Sequence, residues 1–397
     1  MGNFISTLGK IFGNTFVKWP LLLIFVITLP WTILIIPFYG ANNYTYQQLC
    51  LWVIFSVVAI GLNMLTGLTG MISLGQSAIY AVGAFVAGYF TIRVSLPFPL
   101  AILMAAVAAG IVGFILGLPA LRLSGPYLAV ATFAFAIAVP QLMFTSKEVN
   151  DLFADPNASE LAKLTSQSGV ISVPKQTFLD FKDNLGNPVF QADQGRYYLF
   201  LLIAGIMFVL ALGIWNSRTG RAFRAIHDSE TAAQAMGINI GRYKLLAFVI
   251  SAMYAGVAGA MYSAFIGQLN AKDGQFSAEE AIIILTAIIL GGLGSISGAI
   301  IGTGLLTILP ATTGALNDWY AKGIGNGNKI ENFNSIFYGL IIILCVYFMP
   351  QGVMGALRSL VARLRGGKKG SPPAEKAALG NSVNIPENLV SEAQKGS

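Results

Sequence analysis

The chain is short of charge, and the charge it has is unevenly placed. Only 10% of its 397 residues are Asp, Glu, Lys or Arg. A soluble domain carries roughly 25%, so this chain lacks the polar surface to coat a water-soluble body. No Asp or Glu occurs before Glu148, although five bases do: Lys10, Lys18, Arg93, Arg122 and Lys147. The first apolar segments therefore hold no acid able to bind a proton or cation as a charged ligand. Cysteine is scarce too. Cys50 and Cys345 lie in apolar stretches near opposite ends, which leaves no disulfide framework and no metal cluster. The sole histidine, His227, falls in a polar loop, so a Ser/His catalytic pair inside a bilayer is not available and an intramembrane enzyme is rejected. No GxxxxGK[ST] phosphate loop occurs, so ATP, if used, is bound by another chain. The chain itself is expected to hold no cofactor and no metal.

What is abundant is apolar sequence, 55% of the chain, together with 44 glycines. The apolar residues cluster into runs long enough to cross a bilayer. They fall at about 20–38, 48–66, 72–92, 99–121, 126–145, 197–215, 245–266, 281–316 and 333–350. The fold class is therefore all-α, a polytopic integral membrane protein of about ten transmembrane helices with broken or re-entrant segments. Residues 1–19 form a short basic N-terminus, and 20–355 form the membrane domain. Residues 356–397 begin with Arg358, Arg363, Arg365, Lys368 and Lys369 and end in a tail without apolar periodicity, expected to be disordered.

Two long polar interruptions orient the chain. Residues 147–196 carry seven acids and five bases, a net of −2, which suits an outer loop. Residues 217–244 carry Arg218, Arg221, Arg224, Arg242 and Lys244 against Asp228 and Glu230, a net of +3. A basic loop between spans is cytoplasmic by the positive-inside rule. Counting crossings gives the same sides and places both termini in the cytoplasm. The net charge of +7 is accounted for by these loops and the tail. Its partner is the lipid bilayer, with no call for nucleic acid.

Two glycine-rich breaks stand out inside apolar runs. One is Gly67–Gln76, with Gly70, Ser73, Gly75 and Gln76. The other is Gly291–Gly298, with Gly292, Gly294, Ser295 and Ser297. Matched interruptions in the two halves of a transporter point to a substrate route at a repeat interface. Close helix packing is the competing reading, as the spacings Gly113/Gly117 and Gly298/Gly302 suggest. Gln76, Ser77 and Tyr80, with Ser295 and Ser297, are the neutral polar groups available to such a path. Helical spacing puts Gln76 and Tyr80 on one face.

Within the basic loop, Arg218, Arg221 and Arg224 recur three apart on a short helix, with Phe223 and Ile226 on another side. Asp228 or Ser229 can cap a second helix, Glu230–Met236, and Gly237 can stop it in a left-handed conformation. Ala232, Ala233 and Ala235 give that helix a small, smooth face suited to a groove on a partner. An ordinary connector is the competing reading.

The pattern Glu230-Thr231-Ala232-Ala233 with Gly237 resembles the EAA-type loop of bacterial ABC-importer permeases. The stretch GRAFRAIHDSETAAQAMGINIGRYKLLAFVISAMYAGVAGAMY is similar to that region of LivM-type branched-chain amino acid permease subunits. GLTGMISLGQSAIYAVGAFVAGYF (67–90), LRLSGPYLAVATFAFA (121–136), ILGGLGSISGAIIGTGLL (289–306) and YGLIIILCVYFMPQGVMG (338–355) match the same family in the same order. The resemblance implies a coupling site at Arg221, Arg224, Asp228, Glu230, Ala232, Ala233 and Gly237. It also implies ABC ATPase subunits that use the ATP, a second homologous permease and a periplasmic substrate-binding protein. The setting would be a bacterial inner membrane and the mechanism alternating access. The long loop 147–196 and the C-terminal tail depart from the family pattern.

The function expected is ATP-driven import of branched-chain or other neutral amino acids. Urea or short amides are the alternative cargo. A secondary transporter is disfavoured because the acids after Asp193 lie in loops, at span ends or in the tail, whereas ion coupling usually uses ionisable groups at membrane depth.

Overall fold

In the computed structural model, residues 43–145 (except 93 and 124), 170–172, 192–266, 268–270 and 276–307 are described, with scattered positions between 320 and 355. Four helices are long and apolar enough to cross a membrane: Tyr46–Thr69, Phe98–Ala120, Gly195–Asn216 and Ile240–Ile266. They belong to α1 (Asn43–Thr69), α3 (Phe98–Ala120), α5 (Ala192–Asn216) and α8 (Ile240–Ile266). Three further elements are shorter than the expected spans. They are α2 (Gln76–Ile92), α9 (Ala278–Gly291) and α10 (Ile296–Thr307). Helix α4 covers Pro126–Thr145. The expected first span, 20–38, lies outside the described residues, as does nearly all of 333–350 and the tail.

Helix α8 is the centre of the assembly, packed against α1, α2 and α3. Its glycines let backbones meet. A methyl group on Gly259 would overlap the main chain of Tyr80 and Ala84, and one on Gly83 would overlap Gly256. Gly113 and Gly117 of α3 likewise lie against Ala252, Leu245 and Phe248 of α8. Small residues at such seams drive helix association where lipid removes the hydrophobic incentive. The outer faces of α3 and α5 carry large exposed apolar side chains, among them Ile111, Ile115, Leu202 and Val209, as lipid-facing helices do.

The second break forms a hairpin. Helix α9 starts at the Ser277 cap and ends at Gly291, a turn follows through Gly292 and Gly294 with φ of 110° and 72°, and α10 returns. Two shortened helices joined by a turn thus occupy the described part of the apolar run 281–316. The first break differs from its expected span of 72–92. Residues 70–75 are irregular and α2 begins only at Gln76, because Gly70 takes φ of 74° and ends the helical run.

One feature lay outside the all-helical expectation. Strand β1 (Val170–Ser172), inside the 147–196 loop, pairs antiparallel with β2 (Gln268–Asn270), Val170 opposite Asn270. Two loops joined by a ladder lie on one side of a bilayer. Counting crossings likewise puts residues 268–280, which follow 245–266, on the side expected for 147–196. The ladder follows the far end of α8, opposite the 217–244 loop.

Candidate functional site: a capped loop helix beside two paired breaks

The basic loop folds as two short helices, α6 (Arg218–Asp228) and α7 (Glu230–Ala235). Ser217 caps α6, accepting the Gly220 amide at 3.3 Å. Ser229 caps α7, accepting the Ala232 amide at 3.2 Å. Of the two candidate caps, Ser229 therefore takes the role, and Asp228 points outward beside His227 Nδ1 at 3.5 Å. Helix α7 is closed by a Schellman motif. Gly237 N–H donates to Gln234 O at 2.9 Å and Ile238 N–H to Ala233 O at 3.0 Å. Gly237 takes φ of 81°, the conformation its sequence position predicts.

Phe223 and Ile226 are buried and seat α6 on the bundle. Arg218 and Arg221 are exposed, whereas Arg224 lies over the Trp215 ring at 5.7 Å. The small-residue face divides differently from expectation. Ala233 is turned inward and buried, while Ala232 and Ala235 face solvent. A six-residue helix has to anchor one side, and Ala233 is that side. Met236, absent from the expected site, is 83% exposed at the end of this helix. The signal for it was available, since an apolar side chain next to the stop glycine in a polar loop is out of place. Glu230 is not free: Nζ of Lys244, the fifth residue of α8, meets its Oε1 at 2.7 Å.

The loop touches the first break. His227 stands over Gly70, so that a methyl group there would sit 3.3 Å from Cδ2 of the ring. The two breaks in turn touch each other. A methyl group on Gly67 would overlap the main-chain amide of Gly294. Asn63 of α1 accepts the Gly294 amide at 3.0 Å and donates to the Ser295 carbonyl at 2.8 Å. Asn63 was not singled out from sequence. At 1.5 Å per residue, this junction lies about 9 Å before the end of α1.

The other candidate path residues occupy definite places. Ser73 Oγ receives the Gly75 amide at 3.4 Å, and the Leu74 amide donates to Thr132 Oγ1 at 2.9 Å, holding the irregular segment against α4. Gln76 donates to the Ser251 carbonyl and hydroxyl at 3.1 and 3.2 Å. Tyr80 lies one turn on, its ring 5.5 Å from that of Tyr262 and 5.8 Å from that of Phe276. Gln76 and Tyr80 share a face as expected, and that face is turned on α8. Ser295 caps α10, receiving the Gly298 amide at 3.3 Å, with its hydroxyl 3.2 Å from that of Ser297.

With this geometry in place, comparison with known proteins identifies the family. The sequence model of the family described as "Branched-chain amino acid transport system / permease component" matches residues 45–346. The chain belongs to this family. It is 30% identical over 340 residues to the high-affinity branched-chain amino acid transport system permease protein LivM of Escherichia coli (strain K12). That match covers 81% of this chain and 72% of LivM. It is 29% identical over 313 residues to LivH of the same organism, covering 76% and 91%. The fructose import permease protein FrcC of Rhizobium meliloti is 24% identical over 285 residues, 70% of each chain. No solved structure matches the chain significantly. Family membership and the apolar helices make this a multi-pass membrane protein, and its relatives are transport permeases.

Proposed function

We propose that this chain is the permease subunit of a bacterial inner-membrane ABC importer for branched-chain or other neutral amino acids. Both termini lie in the cytoplasm. A separate ATPase binds and hydrolyses the ATP and docks on α7. A related second permease completes the membrane unit, and a periplasmic binding protein delivers the cargo. The single observation that carries the reading is the set of contacts from the α6–α7 pair to the bundle and its breaks. Glu230 joins α7 to α8 through Lys244, His227 stands over Gly70, and Asn63 joins α1 to the second break. A pull on the α6–α7 pair would reach the first break through His227, and the second through the packing of Gly67 on Gly294, as alternating access requires of a motor outside the membrane. Rigid, capped elements pass on such a displacement. Flexible loops would absorb it.

Urea or short amides are the alternative cargo, since a path lined by neutral polar and apolar groups suits them equally. Uptake of labelled leucine, urea and neutral amino acids by vesicles holding the complete importer decides between them. ATP-dependent leucine uptake that survives an ionophore is the expected result. Uptake indifferent to ATP and abolished by the ionophore would make the chain a secondary transporter instead.

A further inference from the structure

We propose that the buried N-terminus of α2 is a carboxylate subsite on the transport path, taking the α-carboxylate of an amino acid cargo. This rests on the amino-acid reading above and deepens it. Helix α2 begins inside the bundle: Gln76, Ser77 and Ala78 are 1%, 0% and 0% exposed. Its first main-chain bond runs from the Ile79 amide to the Gly75 carbonyl at 3.3 Å. The amides of Gln76, Ser77 and Ala78 thus have no helical acceptor, and among the described residues no side chain supplies one. Ser73, the nearest hydroxyl on the N-terminal side, receives the Gly75 amide instead.

The second observation is the hydroxyl of Ser77, which is buried and has no hydrogen-bond partner among the described residues. Helical Cα–Cβ bonds tilt toward the N-terminus, which places this side chain at the same end of α2 as the free amides. The helix dipole adds partial positive charge at this end of α2. No Asp or Glu precedes Glu148, so α1 to α4 contain no carboxylate that could fill the place. Depth fits a path as well. Gln76 is bonded to Ser251, six residues beyond Leu245 where the apolar span begins, and so about 9 Å into a hydrocarbon core of about 30 Å. Amides and one hydroxyl, with no Lys or Arg, bind a carboxylate without trapping it, as a transient site must.

The test is saturation-transfer NMR on the assembled importer in nanodiscs, without the binding protein. The probes are L-leucine, isocaproate (no ammonium), L-leucinol (no carboxylate) and urea. Leucine and isocaproate are expected to bind, and leucinol and urea are not. Ser77→Ala should weaken isocaproate about tenfold, the loss of one hydrogen bond to a charged group. Ser77→Thr should retain it, and Ser77→Asp, which places a carboxylate in the site, should abolish it. Equal binding of leucine and leucinol, or Ser77→Ala binding isocaproate like the wild type, overturns the proposal. If Ser77→Asp does not assemble, the leucinol comparison and Ser77→Ala decide. Ser77-dependent isocaproate binding in an importer that does not take up leucine would support the subsite and overturn the amino-acid cargo.

Discussion

Asn63 holds the main chain of Gly294 across 231 positions of sequence, accepting its amide at 3.0 Å and donating to the neighbouring Ser295 carbonyl at 2.8 Å. One side chain thereby fixes the tip of the α9–α10 hairpin to α1. Both its polar ends are buried and satisfied. Asn63→Leu keeps the volume and leaves two main-chain groups without partners, at about 1–3 kcal/mol each. We expect a lower melting temperature by fluorescence-detected size exclusion and loss of uptake. A melting curve unchanged from wild type would show that the hairpin does not depend on this residue.

Gly67 tests the contact between the breaks. Its Cα faces the Gly294 amide with no room for a methyl group. Gly67→Ala must separate α1 from the hairpin, at a cost of about 1–3 kcal/mol for overpacking. Uptake is expected to fall well before membrane insertion does, measured on the same vesicles by transport and by immunoblot.

These two predictions also show where sequence reading stops. The breaks themselves were legible because glycines and serines inside apolar runs are local signals, and so were the caps at Ser217 and Ser229 and the stop at Gly237. Each of these depends on neighbours within about four positions. The Asn63–Gly294 clasp, the Gln76–Ser251 bond and the Val170–Asn270 pairing join residues far apart in sequence, and no pattern in a single chain encodes such a pairing. Ala233 was misplaced for a related reason. A helix of six residues has no periodicity to show which side faces the bundle. The start of α2 was set four residues too early because hydropathy does not distinguish extended from helical backbone.

Gly237 has open space around it, with nothing within 4 Å of an added Cβ, so any penalty there comes from its φ of 81°. Gly237→Val is a β-branched residue in the left-handed region, costing about 1–3 kcal/mol. That is enough to undo the end of a six-residue helix and not enough to unfold a membrane bundle. Normal expression and membrane insertion with uptake abolished is the expected pair of results. Full uptake would remove the Schellman end from the account.

Met236 offers the one large apolar side chain at the exposed end of α7. Seated in a groove of the ATPase, it would contribute about 1.5–3 kcal/mol. Met236→Glu should therefore weaken ATPase association at least tenfold in a pull-down titration, whereas Met236→Leu should keep it. Equal affinity for both variants would place the docking contact elsewhere on the loop.

The central claim is that ATP hydrolysis outside the membrane reaches the bundle through α7 and its Glu230–Lys244 link to α8. Glu230→Lys places two like charges face to face at that link and leaves the apolar core untouched. The most direct test measures ATP hydrolysis and labelled-leucine uptake together, in proteoliposomes holding the complete importer with this one substitution. We predict that ATP is still hydrolysed while leucine uptake falls to background. Uptake at the wild-type rate would contradict the account.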